Sequence, residues 1–386
     1  MANTLRPVKP GDSVYLIDGS GFIFRAYHAL PPLTRRSDGL PVGAVHGFCA
    51  MLNKLLRETN AGEAPTHLAV VFDKSERSFR TAMYPQYKAQ RPPAPADLIP
   101  QFGLIRQAVA AFEVACVEQD TYEADDLIAT YARQAVEAGA KVRIVSSDKD
   151  LMQLVCDDLV VLYDTMKDCK IGEQQVIEKF GVPPAKMIEV QALAGDAVDN
   201  VPGVPGIGIK TGAQLIRQYG DLETLLASAH EIKQPKRREN LIAFADAARM
   251  SRELVRLRDD VPLEHPIEEL GVRPPNPEAL VGFLKAMEFT TLTRRIAADV
   301  GVEAAAVEPS PVVVVGWPPQ TDEASPAGEE GLAEARPADA PAPAAAEQAA
   351  QAWLKAPIDY NAYVTVTDMA ALERWIAAAR EQGFVA

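Results

Sequence analysis

Three short apolar runs that each end on an aspartate constrain this chain more than any other feature. Residues 13–18 (Ser-Val-Tyr-Leu-Ile-Asp) lead into Gly19-Ser20-Gly21, residues 66–72 end at Asp73, and residues 141–147 run into Asp148-Lys149-Asp150. Runs of this kind, without strict alternation, fit strands buried on both faces. Helical segments lie between them. The pattern therefore predicts an α/β domain, with a mostly parallel sheet and helices on both faces. Ligands in such sheets bind beyond the carboxyl ends of the strands, where Asp18, Asp73, Asp148 and Asp150 fall. One strand-end aspartate is usually a turn residue or a cap. Three strands repeating the arrangement favour a shared site.

The stretch Thr121-Tyr122-Glu123-Ala124-Asp125-Asp126 adds three carboxylates at the start of a helix, because Leu127, Ile128, Tyr131, Ala135 and Val136 follow at helical spacing. Thr121 is the expected cap. One or two acids there complement the helix dipole by about 0.3–1 kcal/mol each. A third is costly, since close carboxylates repel by about 4 kcal/mol per pair at an effective dielectric near 20. Divalent cations remove that cost. With Asp196 and Asp199 of Gly195-Asp196-Ala197-Val198-Asp199-Asn200, the candidate metal ligands are Asp18, Asp73, Glu123, Asp125, Asp126, Asp148, Asp150, Asp196 and Asp199. Hard oxygen donors without clustered His or Cys point to Mg²⁺ or Mn²⁺ rather than zinc. Two such ions roughly 4 Å apart activate a water and stabilise the leaving oxygen in phosphodiester cleavage.

Residues 74–93 mix Arg77, Arg80, Lys88 and Arg91 with Phe79, Tyr84 and Tyr87 before a proline run, and predict an exposed, mobile insertion suited to single-stranded nucleic acid. Gly203, Gly206 and Gly208, followed by Lys210, predict a tight hairpin with amides at a helix N-terminus. No strand precedes it and no Gly-Lys-Ser/Thr ends it. That favours a helix-hairpin-helix gripping a nucleic-acid backbone. Lys233, Lys236, Arg237 and Arg238 add a second basic patch or a solvated helix start.

The net charge of -14 does not exclude a nucleic-acid partner, because residues 301–386 carry 4 basic and 13 acidic residues and leave 35 and 40 before them. Metal bound to the acidic cluster would leave that part positive enough to meet phosphates. The four cysteines lack any Cys-x-x-Cys spacing, no apolar run reaches bilayer length and no signal core opens the chain. A cytoplasmic monomer with no membrane association is expected. Domain boundaries are expected at 1–170 (α/β), 171–300 (helical, carrying the hairpin), 301–352 (a disordered Ala/Pro-rich linker) and 353–386. Residues 353–386 read as a strand, a helix and the start of another strand, too little for a core.

In order along the chain, Leu16-Ile17-Asp18-Gly19 with Arg25, Val71-Phe72-Asp73 with Ser78-Phe79-Arg80 and Tyr87-Lys88, Tyr122-Glu123-Ala124-Asp125-Asp126, Ser147-Asp148-Lys149-Asp150-Leu151, and Gly195-Asp196 through Lys210-Thr211 resemble the 5'-nuclease (flap endonuclease) superfamily. Within it, they are similar to the N-terminal 5'-3' exonuclease domains of bacterial DNA polymerase I. Position 198 is Val where a small polar residue is usual.

The resemblance implies a PIN/5'-nuclease-like fold, two or more Mg²⁺ or Mn²⁺ ions and hydrolysis of DNA bearing 5' flaps, nicks or RNA primers. A DNA polymerase is an implied partner. Asp73 and Asp125 would serve one metal, Asp148 and Asp150 the other, and Asp18, Glu123, Asp196 and Asp199 would bridge or hold metal-bound waters, with Asp126 a supporting ligand. Lys88 and Arg91 would polarise the scissile phosphate beneath a helical arch, with Arg25, Arg77 and Arg80 as further DNA contacts. Residues 353–386 resemble the opening of a proofreading-type 3'-5' exonuclease domain, and no polymerase segment is recognised. A DNA-binding subunit without catalysis would not need nine carboxylates, and a small ribonuclease domain would not need the hairpin.

Overall fold

The computed structural model describes residues 5–60 and 64–315. The expected linker beyond residue 315 and the expected strand and helix of 353–386 lie outside the described residues. The chain runs β1 (Ser13–Asp18), α1 (Gly19–Ala29), α2 (Gly43–Asn60), β2 (His67–Val71), α3 (Phe79–Met83), α4 (Ile99–Ala111), β3 (Ala115–Val117), α5 (Ala124–Glu137), β4 (Lys141–Val145), β5 (Val160–Asp164) and β6 (Cys169–Ile171). Eight helices follow: α6 (Glu173–Phe180), α7 (Pro184–Ala194), α8 (Ile209–Tyr219), α9 (Leu222–Ala227), α10 (Pro235–Ala243), α11 (Ala245–Val255), α12 (Pro277–Ala286) and α13 (Thr290–Val300).

The sheet order is β3-β2-β1-β4-β5-β6, parallel except for β6. The chain steps outward from β1 through β2 to β3 and then crosses back to place β4 on the other side of β1. This reversal opens a crevice at the carboxyl ends of β1 and β4, the usual ligand position in such sheets. Sequence reading missed β3, β5 and β6. β3 and β6 are three residues long, and β5 (Val-Val-Leu-Tyr-Asp) sits just before the switch to helices.

Strand residues alternate between two cores. Val14, Leu16, Val71, Val142 and Ile144 face α5 and helices α6 to α11, whereas Tyr15, Ile17, Leu68, Val70 and Val145 face α1, α2, α4, α12 and α13. The boundary expected at residue 170 is therefore crossed twice. One core joins the sheet to the hairpin helices, and α12 and α13 return to the opposite face.

Two expectations change with this packing. Residues 74–93 are anchored: Arg80 is 1% exposed, and Tyr87 packs with Val201, Leu254 and Val255. Nor is the segment after residue 300 free linker as far as Val315. Val312 and Val314 pack against the second core, Gln107 exchanges two hydrogen bonds with the Val313 backbone, and Ser310 N–H donates to the Gly282 carbonyl.

Candidate metal centre and nucleic-acid interface

Asp18, Asp73, Glu123, Asp125, Asp148, Asp150, Asp196 and Asp199 all line one cleft of about 1840 Å³ at the carboxyl ends of the strands. Local sequence fixes each position. Asp18 ends β1 and caps α1 by accepting the Gly21 N–H at 2.8 Å, while its second oxygen accepts the Ser146 hydroxyl at 2.8 Å. Asp73 follows β2 and accepts the Ala124 N–H and the Ser20 hydroxyl, both at 2.8 Å. It thereby caps α5 from a different strand. The α5 N-cap residue is Glu123 rather than Thr121, whose φ of 78° keeps it outside the helix.

Burial and crowding raise the first group of acids. Asp18 is pushed up to about 6 by burial and by Asp148 and Asp73, against its two hydrogen bonds. Asp125 is raised well above the usual carboxylate range by burial and then by Asp148, Asp18 and Asp73. Asp148 accepts the Asp150 N–H at 2.8 Å and stands between the groups.

Asp150, Asp196 and Asp199 form the second group, with one oxygen of each within 4.8 Å of the others. Asp150 is pushed up to about 6 by burial and Asp148, while the Gln191 amide donates to it at 2.5 Å. Asp196 moves the other way. Burial alone would raise it, but the ammonium of Lys149 bonds it and holds it low. Glu123 is likewise held low despite burial, chiefly by Lys88 at 2.7 Å and by Arg80. Asp196 and Asp199, expected to bridge or hold metal-bound waters, thus stand directly around Asp150.

These donors fit hard divalent cations. Every candidate ligand atom is a carboxylate oxygen, and the burial and mutual repulsion that raise Asp18 and Asp125 are what a bound cation would offset.

Asp126 is not a ligand. It is fully buried and accepts two hydrogen bonds from Arg80, at 2.7 and 2.8 Å, plus the Arg258 and Glu123 N–H groups. The same bonds tie Arg80 into the protein rather than to a nucleic acid, since two more of its N–H groups donate to the Leu254 and Arg256 carbonyls and Nη1 lies 3.8 Å from Glu123. Arg25 lies outside the cleft lining and is tied to Thr165, Ser147 and Asp164 at the end of β5. Arg77 is exposed and does line the cleft.

Lys88 and Arg91 reach it too, but bonded to acids: Lys88 to Glu123, and Arg91 to Asp199 at 2.5 Å. Gly203 is buried, with φ of 59°, and a Cβ there would lie 2.4 Å from the Gly195 nitrogen. Its N–H donates to Ser251, so it serves a close backbone approach rather than a phosphate. Gly206, Gly208 and Lys210 remain exposed, with Gly208 as the α8 N-cap residue. Asn240 bonds the Pro205 carbonyl and holds basic α10 beside the hairpin.

Sequence reading missed Lys149, Gln191, Ser146 and Ser20. Only Lys149, between two aspartates, carried a signal.

A 5'-3' exonuclease N-terminal resolvase-like domain model matches residues 13–181, and a 5'-3' exonuclease C-terminal SAM fold model matches residues 182–278. The chain is 55% identical to DNA polymerase I of Rhizobium leguminosarum across 98% of its own length and 40% of that protein. It is 37% identical to a 5'-3' exonuclease of Aquifex aeolicus strain VF5, covering 74% of this chain and 95% of the relative. T5 5'-exonuclease, solved with divalent zinc ions bound, matches at TM-score 0.53 and 21% identity over 75% of this chain and 98% of its own. The catalytic core of Rad2, solved with DNA substrate, matches at TM-score 0.52 and 15% identity over 77% and 96%. The two solved structures share the fold. The two matched models and the relative covered almost end to end leave one assignment: the chain belongs to the 5'-3' exonuclease family.

Proposed function

We propose that this nuclease cleaves phosphodiester bonds at 5' flaps, nicks and RNA primers with two Mg²⁺ or Mn²⁺ ions, acting as a cytoplasmic monomer beside a DNA polymerase. The observation that carries the reading is the convergence of seven aspartates, from the ends of β1, β2 and β4, the first turn of α5 and the loop before the hairpin, on one cleft. Asp18, Asp73, Asp125 and Asp148 would hold one ion. Asp150, Asp196 and Asp199 would hold the other, with Glu123 between the groups. When bound, the ions supply a hydroxide at neutral pH and stabilise the leaving oxygen.

The chain's own groups bind and orient the substrate. Exposed Gly206 and Gly208 amides with Lys210 grip a duplex backbone without reading bases. Arg77, Lys88 and Arg91 face the cleft and draw the scissile phosphate toward the carboxylates. Gln191 and Ser146 fix Asp150 and Asp18 in place. A labelled 5'-flap DNA tests the reading: cleavage should need Mg²⁺, stop with EDTA and vanish in Asp148→Asn while flap binding persists. Normal turnover by that variant would remove Asp148 from the mechanism.

A further inference from the structure

The two carboxylate groups differ in what neutralises them. Asp18, Asp73 and Asp148 take neutral donors, and among the described residues none of these three, nor Asp125, forms an ion pair with Lys or Arg. The second group is already paired with the protein's own cations. Lys149 Nζ bonds Asp196 and lies 3.9 Å from Asp150, Arg91 bonds Asp199 at 2.5 Å, and Lys88 lies 3.9 Å from Asp199 while bonding Glu123.

Lys149 is the most intimate of these cations. Its backbone joins Asp148 to Asp150, and its ammonium touches two of the three carboxylates. A divalent ion entering among them would meet that ammonium at contact distance, where like charges repel strongly in a half-buried site. The Lys149 side chain is 38% exposed, so it can swing outward without disturbing a core.

Building on the two-ion reading above, we propose that Lys149 is the resident counter-ion of the Asp150–Asp196–Asp199 group and must withdraw, onto a phosphate oxygen of the bound nucleic acid, before a divalent ion enters. Loading is then ordered. The group around Asp18 takes its ion in the free protein, whereas the second group takes one readily only when a phosphate backbone lies in the cleft. Lys149 thereby suppresses full metal loading in the absence of substrate.

The test is a Mn²⁺ titration of the metal-stripped full chain without DNA, read by the electron paramagnetic resonance signal of free Mn²⁺. The wild type should show one tight class of site and one weaker class. Lys149→Gln should tighten the weaker class by about five- to tenfold, the scale of one partly screened ion pair, and leave the tight class unchanged. Lys149→Arg should match the wild type, and Asp196→Asn should make Lys149→Gln silent.

A weaker class that Lys149→Gln leaves unmoved, with the tight class intact, overturns the counter-ion role and leaves the two-ion reading standing. Absence of any Mn²⁺ binding in the wild type overturns both. Flap binding provides the second readout. Lys149→Gln should lower the salt slope measured in Mg²⁺ and with an uncleavable flap by about one, as one phosphate contact is lost. An unchanged slope overturns the withdrawal onto phosphate.

Discussion

Asp18→Asn should stabilise the metal-free protein at neutral and basic pH while abolishing turnover. In the folded chain the Asp18 carboxyl is pushed up to about 6 from 3.8, chiefly by burial, so the folded state binds its proton more tightly than the unfolded state does. The favourable contribution of the protonated carboxyl is complete below pH 3.8 and is lost as pH rises through 6. At pH 8 the ionised group then costs about 3 kcal/mol at most. Asparagine carries no such charge. Its oxygen can still accept the Gly21 N–H, but its amide must replace an acceptor for the Ser146 hydroxyl, a loss of about 1 kcal/mol.

The net expectation is a variant about 2 kcal/mol more stable than the wild type at pH 8, with the advantage gone by pH 4. Urea unfolding of metal-stripped protein across that range measures the difference, and saturating Mg²⁺ should shrink it by stabilising the wild type. A pH-independent difference, or a variant less stable at pH 8, would refute the argument that Asp18 is held at an energetic cost.

The buried pair should behave in the opposite way: Arg80→Ala leaves Asp126 unpaired and should destabilise by about 3–5 kcal/mol in urea unfolding, in metal or without it. Lys210→Ala should weaken binding to every duplex sequence alike and lower the salt slope by about one, and a sequence-dependent loss would count against the backbone grip. A chain ending at residue 300 should lose about 2 kcal/mol, because Val312 and Val314 leave the core and Gln107 loses both bonds to Val313. Calorimetry measures the loss, and a full-length melting temperature for the shortened chain would show that the segment to Val315 contributes nothing.

The cleft's acids were legible because composition and position coincide: β1 and β2 are largely apolar runs and β4 carries Val142, Ile144 and Val145, so the aspartates that close or follow these strands stand out. The roles within the acidic set were less legible. Asp125 and Asp126 are adjacent on one helix turn, yet one faces the cleft and the other faces Arg80, a distinction set by a partner 46 residues away. Gln191 and Lys149 were hidden for the same reason, since their bonds to Asp150 and Asp196 span 41 and 47 residues. Gly203 was misassigned because a glycine needed for close backbone contact and one that presents its amide look identical in sequence. The short strands β3 and β6 offer too few residues for a period to register.

The two expected domains share residues in a way that bears on mechanism. Asp196 and Asp199 belong to the loop that begins the hairpin, so the element proposed to grip a duplex also supplies two of the cleft's carboxylates. That loop is latched to the basic segment: Lys88 N–H donates to the Asp199 carbonyl, the Gln90 amide to the Ala197 and Val198 carbonyls, and the Asn200 amide to the Gln86 carbonyl. Arg80 then fastens the other end of the segment to α5 through Asp126 and to the end of α11 through backbone carbonyls.

Sheet, basic segment and hairpin are thus joined around Asp199, with Arg91 and Lys88 on its carboxylate. On the proposed two-ion reading, a phosphate that drew Arg91 and Lys88 away would also strip Asp199 of its counter-ions, so occupancy of the cleft by a substrate backbone and the readiness of the second carboxylate group to take a cation would be energetically coupled.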